Sequence, residues 1–115
     1  MINTVKKDDW KLKRGDTLAT GTRIISVADS PTFDWTGVTL KVQIRYKGVL
    51  QKELTPTPDL SVTGKLKYNW TWPASETQLQ NINQPLEYDE QYTLGAVVRT
   101  VVEGTILFTQ DQTYV

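Results

Sequence analysis

The sequence predicts an all-β fold, a sandwich or barrel of about seven strands, with residues 1–115 read as one domain. Two observations carry this. Apolar and polar residues alternate with period two in several segments, the pattern of a strand with one face in the core and one in water. Turn residues recur at roughly ten-residue spacing, as in sandwiches and barrels.

In chain order, Val5 to Leu12 reads as a weak strand and Thr22 to Ala28 as a second. Val38 to Tyr46 is the clearest. Every even position there is apolar or aromatic and every odd one is polar. Lys47-Gly48 follows as a tight turn and Val49 to Leu54 as the returning strand. Thr55-Pro56-Thr57-Pro58 breaks it, because proline cannot donate to a ladder. Leu66, Tyr68, Trp70 and Trp72 share one face of the next strand, which Pro73 ends. Ser75-Glu76-Thr77-Gln78 has the form of a capping box, so one short helical turn is expected near residues 76–80. A last hairpin is expected from Tyr92 to Val102, with Glu103-Gly104 as its turn and Thr105 to about Thr113 returning. The expected core includes Leu40, Val42, Ile44, Leu66, Tyr68, Leu94 and Phe108. Tyr92 has two readings: a tyrosine corner of an immunoglobulin-like sandwich, or a strand tyrosine.

Composition narrows the chemistry. The chain has no cysteine and no histidine. That excludes disulfides, thiolate nucleophiles, Cys- or His-ligated metals and Ser-His-Asp catalysis. No cofactor is expected, and an enzyme is not. Thirteen basic residues balance thirteen acidic ones, so the broad positive footprint of a nucleic-acid binder is missing. The balance is uneven: residues 1–52 hold ten basic and five acidic groups, and residues 53–115 hold three and eight. This hints at complementary contacts between copies. No apolar run is long enough for a membrane helix, and the first residues lack the apolar core of a signal peptide. Synthesis in a cytoplasm is expected.

The acidic neighbours Asp8-Asp9 and Asp89-Glu90 are the main remaining acid–base candidates. Adjacent strand residues point to opposite faces, so neither pair is expected to share a site. Arg14-Gly15-Asp16 is a literal integrin tripeptide, read here as a turn. Trp70 and Trp72 could form a sugar-stacking platform; the competing reading is core. Trp10 and Trp35 lie beside loops and are expected at an interface, where tryptophan is enriched. Lys6-Lys7 and Lys11 to Arg14 form the basic cluster, suited to an acidic partner or to guarding a sheet edge. The expected partner interface is Ile2, Val5, Trp10, Arg14 and Trp35, with the N-terminal segment docking on a neighbouring subunit.

The order of motifs resembles a known family. Asp9-Trp10-Lys11-Leu12-Lys13-Arg14-Gly15-Asp16-Thr17 resembles the basic–Gly-Asp-Thr opening of small phage virion modules, among them the N-terminal domain of the siphophage upper baseplate protein. The block from Phe33 to Arg45 looks like that family's Leu-Thr-Gly, strand, Arg element, with Trp35 in place of the usual leucine. Trp72 to Leu79 is similar to its Glu-Thr turn. Tyr88-Asp89, Thr100 and Gly104-Thr105-Ile106 look like its closing strands. The resemblance implies an immunoglobulin-like antiparallel β-sandwich without enzyme activity, located in the virion and made in a bacterial cytoplasm. Implied partners are other virion proteins in tail, baseplate or head, with homo-oligomerisation in the particle and no nucleic acid or membrane. The upper baseplate protein continues into a long helix and further modules, so attachment by the domain itself is expected here. A carbohydrate-binding module is the alternative.

Overall fold

The computed structural model describes residues 5–110. The chain is an immunoglobulin-like β-sandwich. Its elements are β1 (Lys6–Lys7), β2 (Trp10–Lys13), β3 (Leu18–Ala19), β4 (Arg23–Ser26), β5 (Thr39–Tyr46), β6 (Val49–Leu54), β7 (Lys65–Tyr68), β8 (Thr71–Trp72), α1 (Ala74–Thr77), β9 (Leu86–Leu94) and β10 (Val97–Thr109). The larger sheet has the order β1-β10-β9-β5-β6, and β2 continues the line of β1 along β10. The pairs within β10-β9-β5-β6 are antiparallel, whereas β1 and β2 run parallel to β10.

The second layer is a two-stranded ribbon. β3 pairs with β8, and β4 with β7. Thr20 joins the two halves: its amide donates to the Trp70 carbonyl at 3.0 Å, and the Trp70 amide donates to Thr20 Oγ1 at 3.1 Å. Each layer contributes its inward alternate residues to one core. Leu40, Val42 and Ile44 of β5 meet Leu66 and Tyr68 of β7, with Trp72 and Phe108 ring edge to face at 5.7 Å. Burial of such side chains supplies the main stabilisation, about 1.5–3 kcal/mol for each large apolar group.

The strand from Thr39 to Tyr46, the Lys47-Gly48 turn and the strand from Val49 to Leu54 lie where the alternation puts them. Lys47 and Gly48 both take positive φ, 48° and 83°, the geometry that matches hairpin twist. Leu94 is half-buried rather than buried, because it sits at the far end of β9.

Two local expectations are corrected. The closing hairpin turns at Gly95-Ala96, not at Glu103-Gly104. β10 runs straight through those two residues, and β9 begins at Leu86, upstream of Tyr92. Gly104 is there for clearance: a Cβ would stand 2.1 Å from the Asp8 carbonyl oxygen. The glycine signalled a crossing segment rather than a turn. The helical turn begins at Ala74 after Pro73, and no side chain caps it. Pro73 takes the capping position, so Ser75 lies inside the turn and the Ser75–Gln78 box does not form.

Candidate functional site

The N-terminal segment crosses the mouth of the sandwich and is fastened there by polar groups. β4 turns Arg23 inward, and β9 turns Glu90 inward from the opposite layer. Arg23 Nη2 donates to Glu90 Oε2 at 2.8 Å, and Nε to Oε1 at 3.2 Å. This fork-to-fork pair is fully desolvated on the Glu90 side, where exposure is 0%. It joins the two layers, β4 to β9. Tyr68 on β7 donates its hydroxyl to Glu90 Oε1 at 2.7 Å. Each Glu90 oxygen is therefore hydrogen-bonded, as a buried charge requires.

The network continues to the N-terminal segment. Arg23 Nη1 donates to Asp8 Oδ2 at 2.7 Å. The Tyr88 hydroxyl donates to the Asp8 carbonyl, and Trp10 Nε1 donates to the Tyr88 oxygen at 3.2 Å. Asp9 Oδ1 accepts the Thr105 amide at 2.9 Å. The segment between β1 and β2 thus arches over Gly104 and is bonded on both sides of the arch.

Titration reflects these contacts. Burial alone would lower the Arg23 pKa, but hydrogen bonds to Glu90 and Asp8 outweigh it and hold the guanidinium firmly charged. Burial, reinforced by the Glu90 charge, pushes the Tyr68 hydroxyl well above its ordinary value. Burial also raises Tyr88 to about 12, although the bond from Trp10 pulls the other way.

The expected interface residues do not assemble into one surface. Ile2 lies outside the described residues. Val5 is exposed. Trp10 is half-buried and spent on Tyr88 within its own chain. Trp35, expected at the surface, is 3% exposed. Its ring stands edge to face between Phe33 and Tyr92, and its Nε1 donates to the Gly64 carbonyl at 3.2 Å. The loop before β5 folds inward and carries it into the core. Arg14 Nη1 donates to the Gln80 carbonyl at 3.4 Å. In the same tripeptide, Asp16 Oδ2 accepts the Lys13 amide at 3.1 Å and the Asp16 carbonyl accepts the Thr77 hydroxyl at 2.7 Å. Arg14-Gly15-Asp16 is a turn pinned to the body, not a presented loop.

Trp70 and Trp72 are 4% and 1% exposed. They fill the core, and the sugar platform expected as an alternative is not built from them. Among the described residues no aromatic side chain is exposed. The acidic neighbours separate as alternation requires. Asp89 faces outward and accepts from Arg45 at 3.3 Å, while Glu90 faces inward. Tyr92 stands near the end of β9, and Tyr88 reaches back to the upstream backbone. Among the described residues, no three Asp, Glu, His or Cys gather in a way that could hold a metal ion.

Sequence reasoning passed over Arg23, Glu90 and Tyr68 as a unit. One signal was present: Glu90 occupies the inward register of Leu86, Tyr88 and Tyr92. A carboxylate in an apolar register needs a buried partner, and only the fold names it.

No protein-family model matches the chain, and no curated protein matches it. Among solved structures it is similar to the extracellular fragment, with its stalk region, of Novel Immune-Type Receptor 11 from Ictalurus punctatus. The two share 11% identity over 99% of this chain and 92% of that one, at a TM-score of 0.41. That likeness is too distant to speak of activity.

Proposed function

We propose that this chain is a non-catalytic assembly module of a phage or prophage particle, binding other virion proteins in the tail, baseplate or head. The observation that carries the reading is the order of four short motifs along the chain, from Asp9–Thr17 to Gly104–Ile106. These motifs fall on β2 and its turn, the approach to β5, the α1 turn and the β9–β10 pair. Several of their residues sit where the fold needs them. Gly104 clears the N-terminal arch, Tyr88 holds it, and Thr77 ties the turn of Asp16. A binding role through sheet edges fits a chain whose described aromatic side chains are buried or half-buried.

The test is physical association. Particles made by cells that carry the gene are purified on a density gradient and their proteins identified by mass spectrometry. The chain is expected in the particle band at a fixed ratio to other structural proteins. Recovery only in the soluble fraction, together with retention on polysaccharide, would replace this reading with the carbohydrate one.

A further inference from the structure

We propose that the upper edge of β10, Val97–Val101, is the docking edge of this module, and that it takes an extended partner segment with an acidic residue opposite Arg99 and β-branched residues opposite Val97 and Val98. This rests on the reading of the chain as a protein-binding module and names the kind of partner. Below this stretch β10 is covered. Lys6 and Lys7 pair with Val102 and Glu103, and Trp10 to Lys13 pair with Ile106 to Thr109. Above Val102, among the described residues, β10 pairs with β9 alone. Among the described residues nothing pairs with its outer side, and such unpaired backbone groups are the usual basis of strand addition.

The side chains agree. Val97 and Val98 point to opposite faces of the ribbon, yet they are 45% and 56% exposed. Among the described residues nothing covers either valine. Arg99 between them and Thr100 is exposed and has no ion pair among the described residues. Both outer strands carry a bulge: on β6 Gln51 is skipped between Leu50 and Lys52, and on β10 Val101 is skipped between Thr100 and Val102, so the regular part of the β10 edge is Val97–Thr100. The β1–β2 edge is broken at Asp8-Asp9 and lined with lysines. Val97–Val101 has no lysine and no proline. A second copy is the poorer occupant: antiparallel self-pairing centred on Arg99 sets that cation against its own mate, which destabilises a pair.

The test uses the full chain, isotope-labelled, and two capped peptides. One is Val-Thr-Glu-Val-Val-Thr, which in antiparallel register sets its Glu opposite Arg99; the other carries Lys in place of Glu. Amide shifts on titration are expected to centre on residues 97–101, with the Lys peptide weaker by about two- to fivefold or more. Arg99→Glu is expected to invert that preference without changing the fold. Shifts centred on β4 or β6, or binding blind to the charge swap, would overturn the proposal. So would slow hydrogen exchange across 97–101 in dilute, peptide-free protein, which would mean that the edge is already covered. A charge-selective edge on a chain absent from particles would sink the virion reading and leave this one standing.

Discussion

The lower and upper halves of β10 belong to one strand and have opposite surroundings. Residues 102–106 lie between β9 and the N-terminal segment, which follows β10 on to Thr109, and Val102, Ile106 and Phe108 are buried. Residues 97–99 have β9 on one side and are exposed. Propensity does not separate the halves, since both are rich in β-branched residues. The difference is what crosses them. Below, an arch tied by Asp8, Asp9 and Trp10 covers a glycine; above, nothing described lies across the valines. A strand's chemistry is thus decided by its neighbours more than by its own residues.

The comparison breaks most severely at the buried pair beneath the arch. Glu90→Ala leaves Arg23 buried beside only Asp8 and strands the Tyr68 hydroxyl. Removing one partner of such a pair costs about 3–5 kcal/mol. Denaturant unfolding monitored by tryptophan fluorescence should show that loss, and a change under about 1 kcal/mol would mean that water reaches the pair. Replacing Arg23 and Glu90 together by Met and Leu should recover much of the loss, because an apolar pair needs no desolvation of charge.

Asp8→Ala tests the arch itself. It removes the Arg23–Asp8 hydrogen bond while leaving the pair to Glu90. The expected cost is about 1.5–3 kcal/mol, with faster exchange of the Asp8 amide that donates to Glu103. Gly104→Ala attacks the same contact sterically, since the new carbon would meet the Asp8 carbonyl at 2.1 Å. About 1–3 kcal/mol is expected, and the double mutant with Asp8→Ala should cost less than the sum, because both lift one segment.

Alkaline pH reaches the arch from the solvent side. The pKa of Tyr88 is raised to about 12 in the fold and that of Tyr68 is raised further, both by burial first. Their contribution is complete below the ordinary tyrosine value of about 10 and is lost as pH rises through the folded values. Phenolate absorbance should therefore show Tyr68 and Tyr88 titrating only as the protein unfolds. Early ionisation of either would sever it from its partner here. The smallest effect is expected above the arch: Val98→Thr should alter stability by no more than about 0.5 kcal/mol, as at other exposed sites. A larger loss would mean that the upper edge is already covered in the free protein.

Much of the sandwich was legible because period-two patterning is a local property. Leu40, Val42 and Ile44 alternate with polar neighbours, and their burial follows from the pleat alone. The Lys47-Gly48 turn was legible for the same reason, since backbone preferences act within a few residues. The final hairpin was not. Glu103-Gly104 and Gly95-Ala96 are both plausible turns, and the choice depends on which glycine another segment crosses. Trp35 was misplaced because a loop's direction is set by what it packs on, here Phe33 and Tyr92.

The sequence by itself determined the all-β class, the faces of its long strands and the exclusion of thiol and imidazole chemistry, because composition and local alternation need no partner to take effect. Only the tertiary structure decided that Arg23 meets Glu90 across two layers, that Asp8 completes the network, and that the lower half of β10 pairs on both sides while its upper half, among the described residues, pairs with β9 alone. Those contacts join residues as many as 82 positions apart at Asp8 and Glu90, through Arg23. Their energy comes from desolvated charge in fixed geometry, which no short window of sequence contains.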